Sequence, residues 1–193
     1  MPRKTFHIVS LGCPKNAVDS ESMAQLLVRD GYKPVDKPGK AEIIIVNTCG
    51  FIAPAKEESI NTLRELAANK RSGQLLIAAG CLTQRYGADV AGQVQGIDGI
   101  IGTRRWMDIV QLTNRLRAMP GPSTLCHLPR AATIGTDEGG TLRASVCGAT
   151  AYLKIADGCR RPCAFCAIPL IKGTAVSRPV SAILDEARIL RDR

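Results

Sequence analysis

The sequence predicts an α/β protein whose N-terminal part is a doubly wound parallel sheet. Two observations carry this: four short apolar runs, and segments of helical period between them. The runs are "HIVSLG" (7–12), "AEIIIVN" (41–47), "QLLIAAG" (74–80) and "DGIIG" (98–102). The second is near-continuous and β-branched, as expected of a strand buried on both faces. A helix is expected from about Lys15 to Asp30, with Met23, Leu26 and Leu27 on one face and Gly31 as its C-terminal cap. Another runs from about Pro54 to Asn69 on Ile60, Leu63 and Ala67. A third, 104–118, places Trp106, Ile109, Val110 and Thr113 at i, i+3, i+4 and i+7. Such alternation implies right-handed crossovers and parallel pairing.

That unit is expected to end near 118. Residues 119–150 are rich in Pro, Gly, Ser and Thr without a sustained period, and read as a linker with short extended pieces. A second unit, 151–193, opens with a strand at 151–155 and a cysteine loop. It continues into a helix begun by Pro179, with Ile183, Leu184, Ala187 and Leu190 on one face. The 193 residues suffice for one well-buried domain but not for two of typical size. Aromatic residues are only 4%, so the core must be aliphatic. The net charge of +9 favours acidic partners such as RNA or a ribonucleoprotein, although solubility alone accounts for it equally well. No signal-peptide pattern opens the chain, and no run approaches the ~18 apolar residues of a membrane span. The expected setting is the cytoplasm, with no membrane partner.

In a reducing compartment, eight cysteines point to metal binding or catalysis rather than to a disulfide framework. Cys13, Cys49 and Cys81 each fall just past a predicted strand, beside Gly12, Gly50 and Gly80. In an open α/β sheet the carboxyl ends of parallel strands share one edge, where ligands bind. Three cysteines far apart in sequence should therefore meet in one crevice. Cys13 and Cys81 are also expected at helix starts, where the dipole favours thiolate. The other reading is three buried structural cysteines. A second set, Cys159, Cys163 and Cys166, lies in "DGCRRPCAFCAIP" (157–169). A structural zinc site wants four ligands. Three thiolates on a four-iron cluster leave one iron open for a substrate. A zinc loop with a fourth ligand elsewhere remains the alternative.

Cys-x3-Cys-x-Phe-Cys resembles the signature of radical S-adenosylmethionine (SAM) enzymes. The longer pieces "YLKIADGC", "CAFCAIP", "KG", "SRP", "SLGCPKNAVDSE" (10–21), "VNTCGFI" (46–52), "AKEES" (55–59) and "GCLTQRY" (80–86) resemble the methylthiotransferases of that superfamily. The resemblance implies two [4Fe-4S] clusters, one on Cys13, Cys49 and Cys81, the other on Cys159, Cys163 and Cys166. The second would chelate SAM and, given an electron, cleave it to a radical that attacks an unreactive C–H bond. Phe165 would lie near the SAM adenine. "LGCPKN", "NTCGFI" and "AKEES" are similar to the branch acting on an aspartate of a small-subunit ribosomal protein; the alternative branch acts on a transfer-RNA adenosine. An external electron donor is implied.

The family's second domain is a TIM-like barrel, which needs on the order of 200 residues. The stretch after 150 would be only its first βα unit, so the chain reads as an N-terminal fragment, inactive alone. Cys126 and Cys147 match no motif. A cluster- or zinc-bearing scaffold or electron carrier is the competing class. A nucleotide-binding protein lacks its motif, since no G-x-G-x-x-G or Walker-type loop follows the first strand.

Overall fold

A computed structural model describes residues 4–118, 121, 123–129 and 140–192. Its centre is a six-stranded sheet. The strands are β1 (Thr5–Ser10), β2 (Lys33–Pro34), β3 (Ile43–Thr48), β4 (Leu75–Gly80), β5 (Gly99–Gly102) and β6 (Leu125–His127). They lie in the order β2-β1-β3-β4-β5-β6, and every pairing is parallel. The predicted strands are β1, β3, β4 and β5.

Period-two alternation divides the aliphatic core into two layers. Ile43, Ile45, Ile77, Ala79 and Ile101 face α1 (Pro14–Arg29) and α4 (Ile109–Ala118), meeting Met23, Leu27, Trp106 and Leu112. Ile44, Val46, Leu76, Ala78 and Ile100 face α2 (Ala53–Ala68) and α3 (Cys81–Gln93), meeting Ile60, Leu63, Leu82 and Val90. All six residues of β3 are buried, as its β-branched run requires. Helix α1 closes where Gly31 was expected to stop it. Gly31 (φ +85°) donates to Val28 O and Tyr32 to Leu27 O, the paired bonds of a Schellman motif.

One crossover departs from the expected handedness. The chain steps from β5 to β6 in the same direction as from β3 to β4, yet α4 lies on the α1 face rather than the α2 face. This last connection therefore has the opposite hand to the others. The 3-10 turn Thr103–Asp108 carries the chain over the carboxyl edge onto α1's side, and buried Trp106 anchors it there. That detour sets Thr103 beside α1.

The short extended pieces expected in 119–150 are β6 and β7 (Ala144–Cys147). Three residues are too few to show a period, so tertiary contacts define β6. His127 Nε2 lies 2.6 Å from Asp108 Oδ2, and Arg105 grips the same carboxylate at 2.8 and 2.9 Å. Cys126 is exposed on this edge strand and Cys147 is exposed at the end of β7.

The predicted strand at 151–155 is present as β8 (Thr150–Leu153), but it pairs antiparallel with β7. β9 (Ala156–Asp157) and β10 (Val176–Ser177) form a second antiparallel pair. Among the described residues after position 150, the strand pairings are antiparallel. The physical reason is proximity, because a tight turn brings β7 back to β8 at little entropic cost. After the cysteine loop come α5 (Ile168–Lys172) and α6 (Val180–Arg191), the latter capped by Pro179. On α6, Val180, Leu184 and Ile189 are exposed, and Glu186 is held by Arg178 in a bidentate pair.

The β6 clamp has a pH signature. Burial would raise the Asp108 carboxyl, but hydrogen bonds from Arg105 and His127 outweigh it and hold it below its ordinary value. A carboxyl depressed by folding stabilises the fold above its unfolded value, and that stability fades as pH falls through the folded one. Asp108→Asn is therefore expected to lower the urea midpoint at pH 7, with the gap to wild type narrowing below about pH 4. A gap independent of pH would show that charge is not what holds β6.

Candidate metal centre

The strand order reverses direction between β1 and β3, which makes the carboxyl edge at those strands the topological switch point. Cys13 caps α1 just beyond β1, Cys49 directly follows β3, and Cys81 directly follows β4. These three strands are neighbours, so the three cysteines share one edge.

Close approach of the loops demands glycine. A Cβ on Gly12 (φ +87°) would lie 2.7 Å from Cys49 Cβ and 2.9 Å from its sulfur. One on Gly80 (φ +105°) would lie 2.5 Å from both Asn47 Oδ1 and Thr48 O. A polar clip that sequence reasoning did not assign joins the same loops. Buried Asn16 donates to Leu11 O (2.9 Å) and Thr48 O (3.0 Å), and its Oδ1 accepts from the Cys81 thiol at 3.5 Å. Asn47 donates to Asn16 O and to Ser20 Oγ, both at 2.9 Å. Ser59 accepts from Cys49 N (2.9 Å) and donates to Cys49 O (3.0 Å). All four residues lie inside the motif stretches read above, which was the only signal for them.

The Cys81 thiol is pushed up to about 11. Burial is the main cause, Lys172 opposes it, and Asp19, Cys49 and Cys13 add to it. The expectation that a helix start would favour thiolate at Cys81 is thus corrected: Cys81 and Cys49 are buried while Cys13 is exposed, and at Cys81 desolvation exceeds the dipole's modest stabilisation. Among the described residues, no three His, Cys, Asp or Glu side chains are drawn into a metal-binding geometry. The donor set on the edge is nevertheless all sulfur, which suits an iron–sulfur cluster. Closing three thiolates around such a group would release their protons and draw in the loops.

The second set lies on the loop between β9 and α5. Cys159 N donates to Gly173 O (3.1 Å), Cys166 N to Cys163 O (3.1 Å), and Arg161 N to the Cys159 sulfur (3.4 Å). Cys163 is exposed, and Phe165 is 91% exposed. Ala167, next to Cys166, packs with Ile171 directly on Cys81. The helix that directly follows the second set therefore covers a cysteine of the first.

A buried ionic hub, also unassigned from sequence, holds this arrangement. Asp19 on α1 meets Arg143 (2.7 Å), Lys154 (2.5 Å) and Lys172 (2.9 Å), with Thr103 Oγ1 at 3.5 Å. Asp157 stands behind, 3.2 Å from Lys154 and 3.6 Å from Lys172. Burial works to raise the Asp19 carboxyl, but Lys172, Lys154 and Arg143 together hold it far below the usual carboxylate range. The two lysines diverge. Burial pushes Lys154 down, whereas at Lys172 the charges of Asp19 and Asp157 overcome burial and hold it up.

The site thus defines a class: a parallel α/β domain with a cysteine set at its switch point and a second cysteine loop docked on it. The model of "Uncharacterized protein family UPF0004" matches residues 5–102, about half of the chain, and the chain belongs to that family. Its relatives include the ribosomal protein uS12 methylthiotransferase RimO of Roseiflexus sp. (strain RS-1), 41% identical over 203 residues, covering 97% of this chain and 43% of that protein. The protein of the same name from Chloroflexus aurantiacus is 45% identical over 196 residues, covering 96% and 43%. That from Bdellovibrio bacteriovorus is 41% identical over 189 residues, covering 97% and 41%. The chain spans about two fifths of the length of these relatives.

Two glycines separate conformational cost from steric cost. Gly31 has open space around its Cα, so Gly31→Ala is expected to cost only the left-handed penalty of about 1–2 kcal/mol. Gly80→Ala meets backbone and Asn47 as well, adding about 1–3 kcal/mol of overpacking. Urea unfolding of both variants measures the difference. Equal losses would mean that the loops tolerate separation.

Proposed function

We propose that the protein containing this chain is a radical-SAM methylthiotransferase acting on an aspartate of ribosomal protein uS12, with two [4Fe-4S] clusters and SAM. The observation that supports the reading is the packing of Ala167 and Ile171, at the start of α5 and directly after the second cysteine set, on Cys81 of the first. The names of the relatives support the substrate. Residues 1–118 with β6 would form the unit for the first cluster, and 151–193 the opening of the SAM unit, its barrel being part of the proposal.

Cys13, Cys49 and Cys81 would hold one cluster, and Cys159, Cys163 and Cys166 the other, with Phe165 beside the adenine of SAM. When bound, the second cluster would supply the electron that cleaves SAM. The chain's own residues do the rest. Asn16 orients Cys81, the α5 contact keeps water from it, and Lys172 places a positive charge near its sulfur. An external electron donor is required. The net charge of +9 suits an acidic donor and a ribosomal environment. Among the described residues, no helix is long and apolar enough to cross a membrane; we place the protein in the cytoplasm.

Anaerobic reconstitution followed by iron and sulfide analysis tests the ligand sets. The chain is expected to bind about eight irons, and alanine at all three cysteines of either set to leave about four. A triple variant with undiminished iron would overturn the ligand assignment, and bound zinc would overturn the cluster assignment. With the full-length protein, SAM, a reductant and a sulfur source, mass spectrometry should find a methylthio group on the uS12 aspartate. Modification of transfer RNA instead would move the protein to the other branch.

A further inference from the structure

We propose that Asp19 is a positioning residue whose carboxylate docks the Cys159–Cys166 loop on Cys81 and so sets the spacing between the two cysteine sets. The inference rests on the two-cluster reading only for its functional meaning; the docking itself stands on geometry. Asp19 sits six residues after Cys13, on the helix that Cys13 caps. Its partners bracket the other set. Lys154, with Asp157 behind it, comes just before Cys159, and Lys172 comes six residues after Cys166. Arg143, from the strand pair leading into this region, is the third cation. One carboxylate therefore holds both ends of the loop, against the helix that carries the first set.

Burial shows what the hub contributes. Asp19 is 1% exposed, Arg143 2%, Lys172 3% and Lys154 7%. Ions this dry carry a large desolvation penalty, and well-packed apolar residues of similar volume are often as stabilising. What charges add is geometry: three cations converge on one carboxylate, and α5 cannot slide along α1 without parting them. Losing the carboxylate would leave three buried cations short of one negative charge, and the loop would lift to hydrate them. Other ties hold α5: Arg104 donates to Leu170 O (2.8 Å) and Ile171 O (3.0 Å), and Lys172 to Thr103 Oγ1 (2.6 Å). They tether α5 without fixing the start of the loop.

The test compares two thiols of similar burial but different cover. Cys81 is covered by Ala167 and Ile171 of the docked loop. Cys49 is covered from within the sheet domain, by Gly12 and Ser59. Alkylation of the metal-free chain, followed residue by residue by mass spectrometry, should show Cys81 in Asp19→Asn labelling on the order of tenfold faster or more, with Cys49 unchanged. Asp157→Asn lies wholly outside the sheet domain and should raise Cys81 labelling in the same direction, by less. Unchanged Cys81 labelling in both variants, or Cys49 rising in step with Cys81, would overturn the docking role. After reconstitution and reduction, electron paramagnetic resonance of wild type should show spin coupling between the two clusters. Asp19→Asn, with its full iron, should show that coupling weakened. Full iron with unchanged coupling would overturn the spacing role. Wild type binding only about four irons would instead overturn the two-cluster reading, and leave the labelling result to decide the docking.

Discussion

Asp19 carries its negative charge into a seam where water cannot reach it, between α1 and the segments that flank the cysteine loop. A lone buried carboxylate would be too costly to ionise. Arg143 and Lys154 on one oxygen, with Lys172 and Thr103 on the other, make the ionised form the favoured one. The rest of the arrangement depends on this. Arg143 also lies over the Trp106 ring at 4.1 Å, so the hub is continuous with the packing of the turn that crosses from β5 to the α1 side. The reversed hand of that crossover brings Thr103 to the seam. Sheet topology, aromatic anchor and ionic hub thus form one connected structure.

The carboxyl edge is built on a different principle. There the constraint is distance, met by removing side chains rather than by adding contacts. Gly12 and Gly80 let the loops after β1, β3 and β4 close until only polar side chains of the right length fit between them. Asn16 and Asn47 fill that space and pair with backbone atoms that a looser edge would leave to solvent. The first cysteine set stands on this glycine-closed edge, whereas the second set is followed by a short helix held by ion pairs.

Electrostatics at Cys81 show how two effects of opposite sign are decided by magnitude. A helix start stabilises a thiolate by at most a few tenths to about 2 kcal/mol. Desolvation at a fully covered position can shift a group by several units. The docked loop supplies that cover, so the same contact that joins the two sets keeps the thiol protonated. Lys172 opposes the effect without reversing it.

How much was legible in the sequence follows from the range over which each signal acts. Strands β3 and β4 were readable because a doubly buried strand must be apolar along its whole length, and α1 because Gly31 marks its end. The shared edge of Cys13, Cys49 and Cys81 was readable because parallel strands impose it whatever the details. Strands of two and three residues were not, since β2 and β6 have no period: β2 is defined by its pairing with β1, and β6 by its pairing with β5 and the bond from His127 to Asp108. Nor was the antiparallel partner of β8, which depends on a tight turn in a segment without pattern. The hub was hidden for a deeper reason. Asp19, Lys154 and Lys172 lie inside the motif stretches, but with Arg143 they come from four separate segments, and nothing in the local pattern tells a buried lysine from a solvated one. The sequence by itself determined on which edge of the sheet Cys13, Cys49 and Cys81 would stand. Tertiary structure alone decided that α5, just after the second cysteine set, would lie over Cys81, because that depends on charges meeting across more than a hundred residues of chain.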